Sequence, residues 1–431
     1  MKSDNIPIFM AKFIIQGQNK LRGEIAVRGA KNAALKIIPV ALLSDETLLV
    51  ENLPQIEDVD KALEAMASLG AKIKRTKKDA CAIDASAISS ADLSARIAGR
   101  FRAAIMFAGP LLARSGAASF FSPGGCNLAS GSKRPINLFL DGFKKFGASI
   151  RDEDGHFFLR AKRWKAARIF FPIVSVTATE AMMTAAVLAA GTTVLDNCAL
   201  EPEIPALADY LNQQGAKITG AGTPRIVIQG VKKIHAGKFF IPPDRIETGS
   251  FALMAAALKS PLTITGCQPE HIMVLLEIFR AIGVPCRWGR DCIVIKAAKK
   301  IRPYSIKTHE YPGFPTDLQS PYTLLMTQAH GSCLIHETIY DRRLLYVDML
   351  MQMGADIVMC DPHRVVVNGP TKLYGKKLVS PDLRAGLTLL LAGLLAEGQT
   401  EIGNIYQIDR GYEDIDGRLR ALGAKIKRVN D

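Results

Sequence analysis

Two hydrophobic patterns alternate along the chain, and their alternation predicts its elements. Stretches such as 181–188 and Thr388-Leu389-Leu390-Leu391-Ala392-Gly393-Leu394-Leu395 are apolar nearly all round. A helix without a polar face belongs in the interior of a large soluble domain. Stretches such as Lys72-Ile73-Lys74-Arg75 and Lys217-Ile218-Thr219 alternate instead with a period of two. That period predicts strands, and their lysines and arginines predict one wet sheet face. Helices are therefore expected inside and sheets outside.

A corner recurs between these elements. Gly70-Ala71-Lys72-Ile73 returns as Gly147-Ala148-Ser149-Ile150, Gly215-Ala216-Lys217-Ile218, Gly283-Val284-Pro285-Cys286, Gly354-Ala355-Asp356-Ile357 and Gly423-Ala424-Lys425-Ile426. Successive glycines lie 77, 68, 68, 71 and 69 residues apart, so six repeats fill nearly the whole chain. Each repeat reads as helix, strand, helix, strand, with further strand at the junction. A repeat of about seventy residues leaves too much surface wet to bury such a helix alone. Three packed together can, which predicts two domains of about 200 residues, a normal size. A continuous solenoid is the competing architecture, but its periods usually fall near about 20–50 residues.

Composition narrows the partners. Apolar residues make up 48% of the chain and charged ones 22%, as in an ordinary folded protein. No apolar run exceeds about a dozen residues, too short to span a bilayer, so no membrane partner is expected. The first residues, Met1-Lys2-Ser3-Asp4, open no secretion signal. The eight cysteines lack paired metal-type spacing, which suits small buried hydrophobes in a reducing cytoplasm; neither metal nor cofactor is expected. The net charge of +14 favours anionic partners. No nucleic-acid-binding signature accompanies it and aromatics are only 7%, which points away from nucleic acid and towards small phosphates and carboxylates.

The starts of the six apolar helices concentrate the chemistry. They open near Gly29-Ala30-Lys31-Asn32, Arg100-Phe101-Arg102, Ser175-Val176-Thr177, Asp244-Arg245-Ile246-Glu247, Pro315-Thr316-Asp317 and Pro381-Asp382-Leu383-Arg384. Thr177 with Glu180 and Thr316 with Gln319 spell capping boxes. Each start offers unpaired N–H groups and the positive end of a helix dipole, so inward-facing starts attract anions. Lys31, Arg102 and Arg384 add full charges, although a basic residue there works against the dipole. A second candidate is the loop Pro123-Gly124-Gly125-Cys126, whose thiol has Lys133 and Arg134 nearby to lower its pKa.

These residues, in this order, resemble the enolpyruvyl transferase superfamily. Arg28-Gly29-Ala30-Lys31-Asn32-Ala33-Ala34-Leu35, Pro123-Gly124-Gly125-Cys126, Arg134-Pro135, Val174-Ser175-Val176, Glu201-Pro202-Glu203-Ile204, Pro243-Asp244-Arg245-Ile246-Glu247-Thr248-Gly249, Phe314-Pro315-Thr316-Asp317, Asp382-Leu383-Arg384-Ala385 and Ile408-Asp409-Arg410-Gly411-Tyr412-Glu413 stand in register over the whole chain. The Gly-Gly-Cys loop favours the branch that acts on UDP-sugars. The resemblance implies a two-domain inside-out α/β barrel with three repeats per domain. One domain would span 31–242, and the other would be assembled from 1–30 and 243–431.

The resemblance also implies a reaction and roles. The enolpyruvyl group of phosphoenolpyruvate would pass to the 3-hydroxyl of UDP-N-acetylglucosamine, with loss of phosphate, through a tetrahedral ketal. This is the step that opens peptidoglycan synthesis. Cys126 matches the acid that protonates C3, and Asp317 the base that takes the sugar hydroxyl proton. Lys31, Arg134 and Arg410 match the holders of phosphate and carboxylate, completed by Arg384 and Arg343, whose planar forks suit two oxygens. Asn32, Arg102, Ser175 and Val176 match nucleotide-sugar contacts. Pro135, Ile136, Asn137, Leu138, Ile173, Val174, Ile339 and Asp382 would complete the substrate shell. Arg384 beside Asp382 also permits a plain salt bridge. Cys126 and Arg134 stand eight residues apart, wider than usual, while Ile173, Asn137 and Met106 replace the family's commoner lysine, aspartate and tryptophan. An enolpyruvyl transferase with another nucleotide or nucleotide-sugar acceptor, or a non-catalytic UDP-sugar-binding paralogue, are the competing readings. The oligomeric state stays open.

Overall fold

All six corner glycines adopt positive φ: +108° at Gly70, +107° at Gly147, +103° at Gly215, +85° at Gly283, +106° at Gly354 and +100° at Gly423. Residues with a side chain avoid that region, which is why the corner is spelled with glycine each time. The structure, a computed structural model, describes residues 11–93, 102–121 and 136–430, with the Arg102 side chain not described.

One repeat shows the plan. Strand Arg168–Phe170 leads into the inner helix Val176–Ala186, which returns to strand Thr192–Asp196, parallel to the first. The outer helix Glu203–Gln213 then runs to the corner, and Lys217–Thr219 and Arg225–Gln229 complete an antiparallel hairpin beside it. Among the described residues, six four-stranded sheets repeat this pattern. The parallel edge strand and the second hairpin arm supply the further strand expected at the repeat junction.

Buried apolar side chains form two separate clusters. One draws on positions 30–241, the other on 13–27 and 246–426. Within each, the inner helices are surrounded: positions 246–257 and 383–394 are buried without interruption. The N-terminal strand Lys12–Gln16 sits between Gln399–Gly403 and Ile426–Val429, so the start of the chain completes the last sheet of the second lobe. The chain therefore crosses between lobes twice. At the crossing, the Ala30 N–H donates to Pro242 O at 2.8 Å and the Asp244 N–H to Arg28 O at 2.9 Å. A Cβ on Gly29 would lie 1.9 Å from Asn52 O, so only glycine fits there.

Neither expected capping box forms. Ser175 is the cap of the Val176 helix, its Oγ accepting the Ala178 N–H at 3.3 Å. Glu180 is turned into the core instead, against Lys36. Thr316 opens a 3-10 turn, Thr316–Leu318, and donates to Glu337 at 2.8 Å, while Gln319 is fully buried. Both glutamate-type side chains lack the solvent face from which a capping residue reaches back. Asp244 and Asp382 cap the two longest inner helices.

Candidate active site

The crossing delivers two helix starts to one carboxylate. Asp244 Oδ1 accepts the N–H groups of Ile246 and Glu247 at 2.8 and 3.0 Å, capping its own helix. Its Oδ2 accepts the Lys31 N–H at 3.2 Å, at the start of helix Lys31–Val40. The strand before the crossing is tied down as well. Glu247 accepts the Arg28 N–H at 2.8 Å and pairs with Arg418 at 2.7 Å.

Lys31 turns its ammonium to Asp58, 2.9 Å from Oδ2. Arg410 of the other lobe holds the same carboxylate, Nε to Oδ1 at 2.9 Å and Nη2 to Oδ2 at 3.3 Å. Gln407 steadies the guanidinium at 3.1 Å. Burial pushes the Asp58 carboxyl up, but Lys31 and Arg410 outweigh it and hold the group below the usual carboxylate range. The same helix, Glu57–Ser68, makes further contacts across the lobes. Gln55, just ahead of it, donates its N–H to Glu413 at 2.9 Å, and Lys61 contacts the Tyr406 hydroxyl.

Asp317 is the second junction. Arg343 Nη2 reaches its Oδ1 at 2.8 Å and Arg384 Nη2 its Oδ2 at 2.9 Å. Arg384 also donates to the Tyr412 hydroxyl at 2.9 Å. Asp382 Oδ1 accepts the Arg384 and Ala385 N–H groups at 2.8 and 2.9 Å, which fixes the first turn of helix Leu383–Leu395. Burial works to discharge Arg384; Asp317, Tyr412 and Asp244 overcome it and keep the guanidinium firmly protonated. Glu337, fully buried, accepts Thr316 Oγ1 through one oxygen and the Ile339 and Tyr340 N–H groups through the other. It joins the Asp317 turn to the loop that carries Ile339 and Arg343. Asp244 is felt electrostatically by Arg384, and Asp317 by Arg245, so both junctions belong to one charged region.

Of the residues singled out in the sequence, Lys31, Arg410, Asp317, Arg343 and Arg384 are brought together in these two junctions, with Asp382 fixing the last of them. The Arg384 guanidinium pairs with Asp317, not with its neighbour Asp382, which is occupied as a cap. Asn32 and Ile339 lie half-buried beside the junctions. Ser175 and Val176 open the Val176 helix, after the half-buried Val174 and after Ile173, 63% exposed. Ile136 immediately precedes helix Asn137–Lys145, where Asn137 is exposed and Leu138 half-buried. Among the described residues no hydrogen bond joins Ile136, Asn137, Leu138 or positions 173–176 to either junction. Met106 is buried in the first core, a packing residue. Arg102 opens the 3-10 turn Arg102–Phe107. Cys126, Arg134 and Pro135 lie outside the described residues.

Asp58 and Glu337 lie outside every motif that the sequence offers, while Asp244 and Tyr412 stand in motifs without an assigned role. Glu57-Asp58-Val59-Asp60 reads as ordinary first-turn acid complementing a helix dipole. What marks Asp58 is its 4% side-chain exposure, which periodicity does not reveal.

Two lobes of three repeats, helices inside and sheets outside, with opposed helix starts rich in paired cations, define an enolpyruvyl transferase. The chain matches the EPSP synthase (3-phosphoshikimate 1-carboxyvinyltransferase) family over residues 15–419 and belongs to it. Its curated relatives are more narrowly described. The UDP-N-acetylglucosamine 1-carboxyvinyltransferase of Koribacter versatilis is 40% identical over 428 residues, covering 98% of this chain and 97% of the relative. The protein so named from Shigella boydii is 41% identical over 424 residues, covering 97% and 99%. The crystal structure of the enolpyruvyl transferase NikO from Streptomyces tendae superposes with a TM-score of 0.89 at 26% identity, over 98% of this chain and 99% of that one. EPSP synthase from Acinetobacter baumannii shares the fold, with a TM-score of 0.74 at 18% identity, over 97% and 100%.

Proposed function

We propose that this chain transfers the enolpyruvyl group of phosphoenolpyruvate to the 3-hydroxyl of UDP-N-acetylglucosamine and releases phosphate. The observation that carries the reading is the convergence of Lys31, Arg410, Arg343 and Arg384 around two carboxylates at the junction of the lobes. Identity near 40% over almost the full length of proteins of that description supports the acceptor.

The geometry suits an exchange of anions. Asp58 and Asp317 are resident counter-ions, each gripped by two cations among the described residues. Phosphoenolpyruvate brings a phosphate and a carboxylate, and its arrival replaces those grips. Lys31 and Arg410 would then hold the phosphate, and Arg343 and Arg384 the carboxylate. Asp317, released from its arginines, becomes a stronger acceptor for the sugar hydroxyl proton. Cys126 supplies the proton to C3, C2 becomes electrophilic, and the hydroxyl oxygen adds there. Loss of a C3 proton and departure of phosphate then restore the double bond. Closing the lobes over the pair excludes water and strengthens each charge contact. The setting is the cytoplasmic opening step of peptidoglycan synthesis, hence cell-wall growth and division.

The test is direct. The protein is incubated with phosphoenolpyruvate and a panel of nucleotide sugars, and phosphate release and product mass are followed. Release with UDP-N-acetylglucosamine alone is expected. Release only with another acceptor, or none at all, contradicts the proposal.

A further inference from the structure

A second set of charges lies beneath the acceptor-side helix starts, and at its centre is a pair bonded to neither junction. Lys36 and Glu180, 6% and 1% exposed, meet in the first core as a buried ion pair. Lys36 follows Asn32 by four residues and Glu180 follows Val176 by four, one helical turn below each. The pair therefore links the second turns of two helices whose first turns are the acceptor-side contacts. Among the described residues, neither Glu180 Oε1 nor the buried Oε2 of Glu201 has a hydrogen-bond partner. Glu203 pairs with Arg245 of the other lobe at 3.1 Å. Three carboxylates thus share two cations, and Asp244 and the neutral-leaning His271 border the group.

We propose that Lys36 and Glu180 are a positioning pair, setting the start of the Lys31 helix against the start of the Val176 helix and thereby tuning affinity for the nucleotide-sugar acceptor. The inference rests on the proposed function and deepens it. Stability alone does not account for the pair. Taking two charges out of water usually cancels their attraction, and apolar replacements of similar volume are often as stable. What an ion pair adds is a fixed separation between its two helices. Burial pushes the Glu180 carboxyl up to about 7 against the pull of Lys36, with Glu203 and Glu201 adding to the rise. The link is therefore made at pH 8 and weakened at pH 6.

The experiment measures the dissociation constant for UDP-N-acetylglucosamine by calorimetry at pH 6 and pH 8. A nucleoside diphosphate sugar does not itself titrate in that window. Wild type should bind about five- to tenfold more tightly at pH 8. The double variant Lys36→Met, Glu180→Leu should bind with the weaker constant at both pH values while keeping its melting temperature. Glu180→Gln provides a milder version, also flat with pH. A variant that matches wild type at both pH values overturns the positioning pair alone, as does a pH-independent wild-type constant. Wild type that binds the sugar but never turns over overturns the function alone. Wild type that binds no nucleotide sugar overturns both.

Discussion

The two lobes share an architecture but differ at their axes. Six residues after its cap, each of three inner helices presents one polar side chain: Lys36 after Ala30, Ser250 after Asp244 and Thr388 after Asp382. In the second lobe Thr388 Oγ1 donates to Ser320 Oγ at 2.9 Å, a neutral contact five residues past the Pro315 cap. In the first lobe Lys36 meets Glu180, five residues past the Ser175 cap. The same pair of offsets thus carries a hydroxyl bond in one lobe and an ion pair in the other. Three-helix packing does not demand the charge, since the second lobe forms without it. The lesson is that the repeat fixes where a polar contact falls, while its chemistry is free to serve the neighbouring site.

Removing one charge breaks the comparison most severely. Lys36→Ala leaves Glu180 buried without its cation, which should cost about 3–5 kcal/mol at pH 8 and less at pH 6, where the carboxyl takes a proton. Denaturant titration at the two pH values checks this. Asp58→Asn should cost about 2–3 kcal/mol at pH 7, because Lys31 and Arg410 lose a charged acceptor that is nearly out of solvent.

The two carboxylates should respond to pH in opposite directions. The folded pKa of Glu180 is raised, so its contribution is fully present below its ordinary value and lost as pH rises through about 7. That of Asp58 is lowered, so its contribution is present above its ordinary value and lost as pH falls through the folded one. Glu180→Gln should accordingly flatten the stability profile on the neutral side, and Asp58→Asn on the acid side. The smallest effect is expected in the second lobe. Thr388→Val removes one hydroxyl bond and should cost about 1 kcal/mol without any pH dependence. A loss comparable to that of Lys36→Ala would erase the contrast between the lobes.

Much of the fold was legible because its signals are local. Glycine at 70, 147, 215, 283, 354 and 423 is required by backbone conformation, and the inner helices announce themselves by lacking a polar face. The site was half legible. Lys31, Asp317, Arg384 and Arg410 sit in motifs, but the carboxylate joining two of them, Asp58, contributes from a separate helix and looks like dipole compensation in isolation. Thr177 and Glu180 carry the right spacing for a capping box, yet Ser175 takes the cap and Lys36 takes the glutamate. That preference depends on a neighbour 144 residues away in sequence, which no local pattern contains.

The central claim is that Asp317, released from Arg343 and Arg384, accepts the proton of the sugar hydroxyl. Its most direct test is single-turnover phosphate release by Asp317→Asn, mixed with phosphoenolpyruvate and UDP-N-acetylglucosamine, beside a binding measurement for both substrates. The account predicts a rate lower by about 10²–10⁴-fold with the sugar still bound. Phosphate release at the wild-type rate would contradict it.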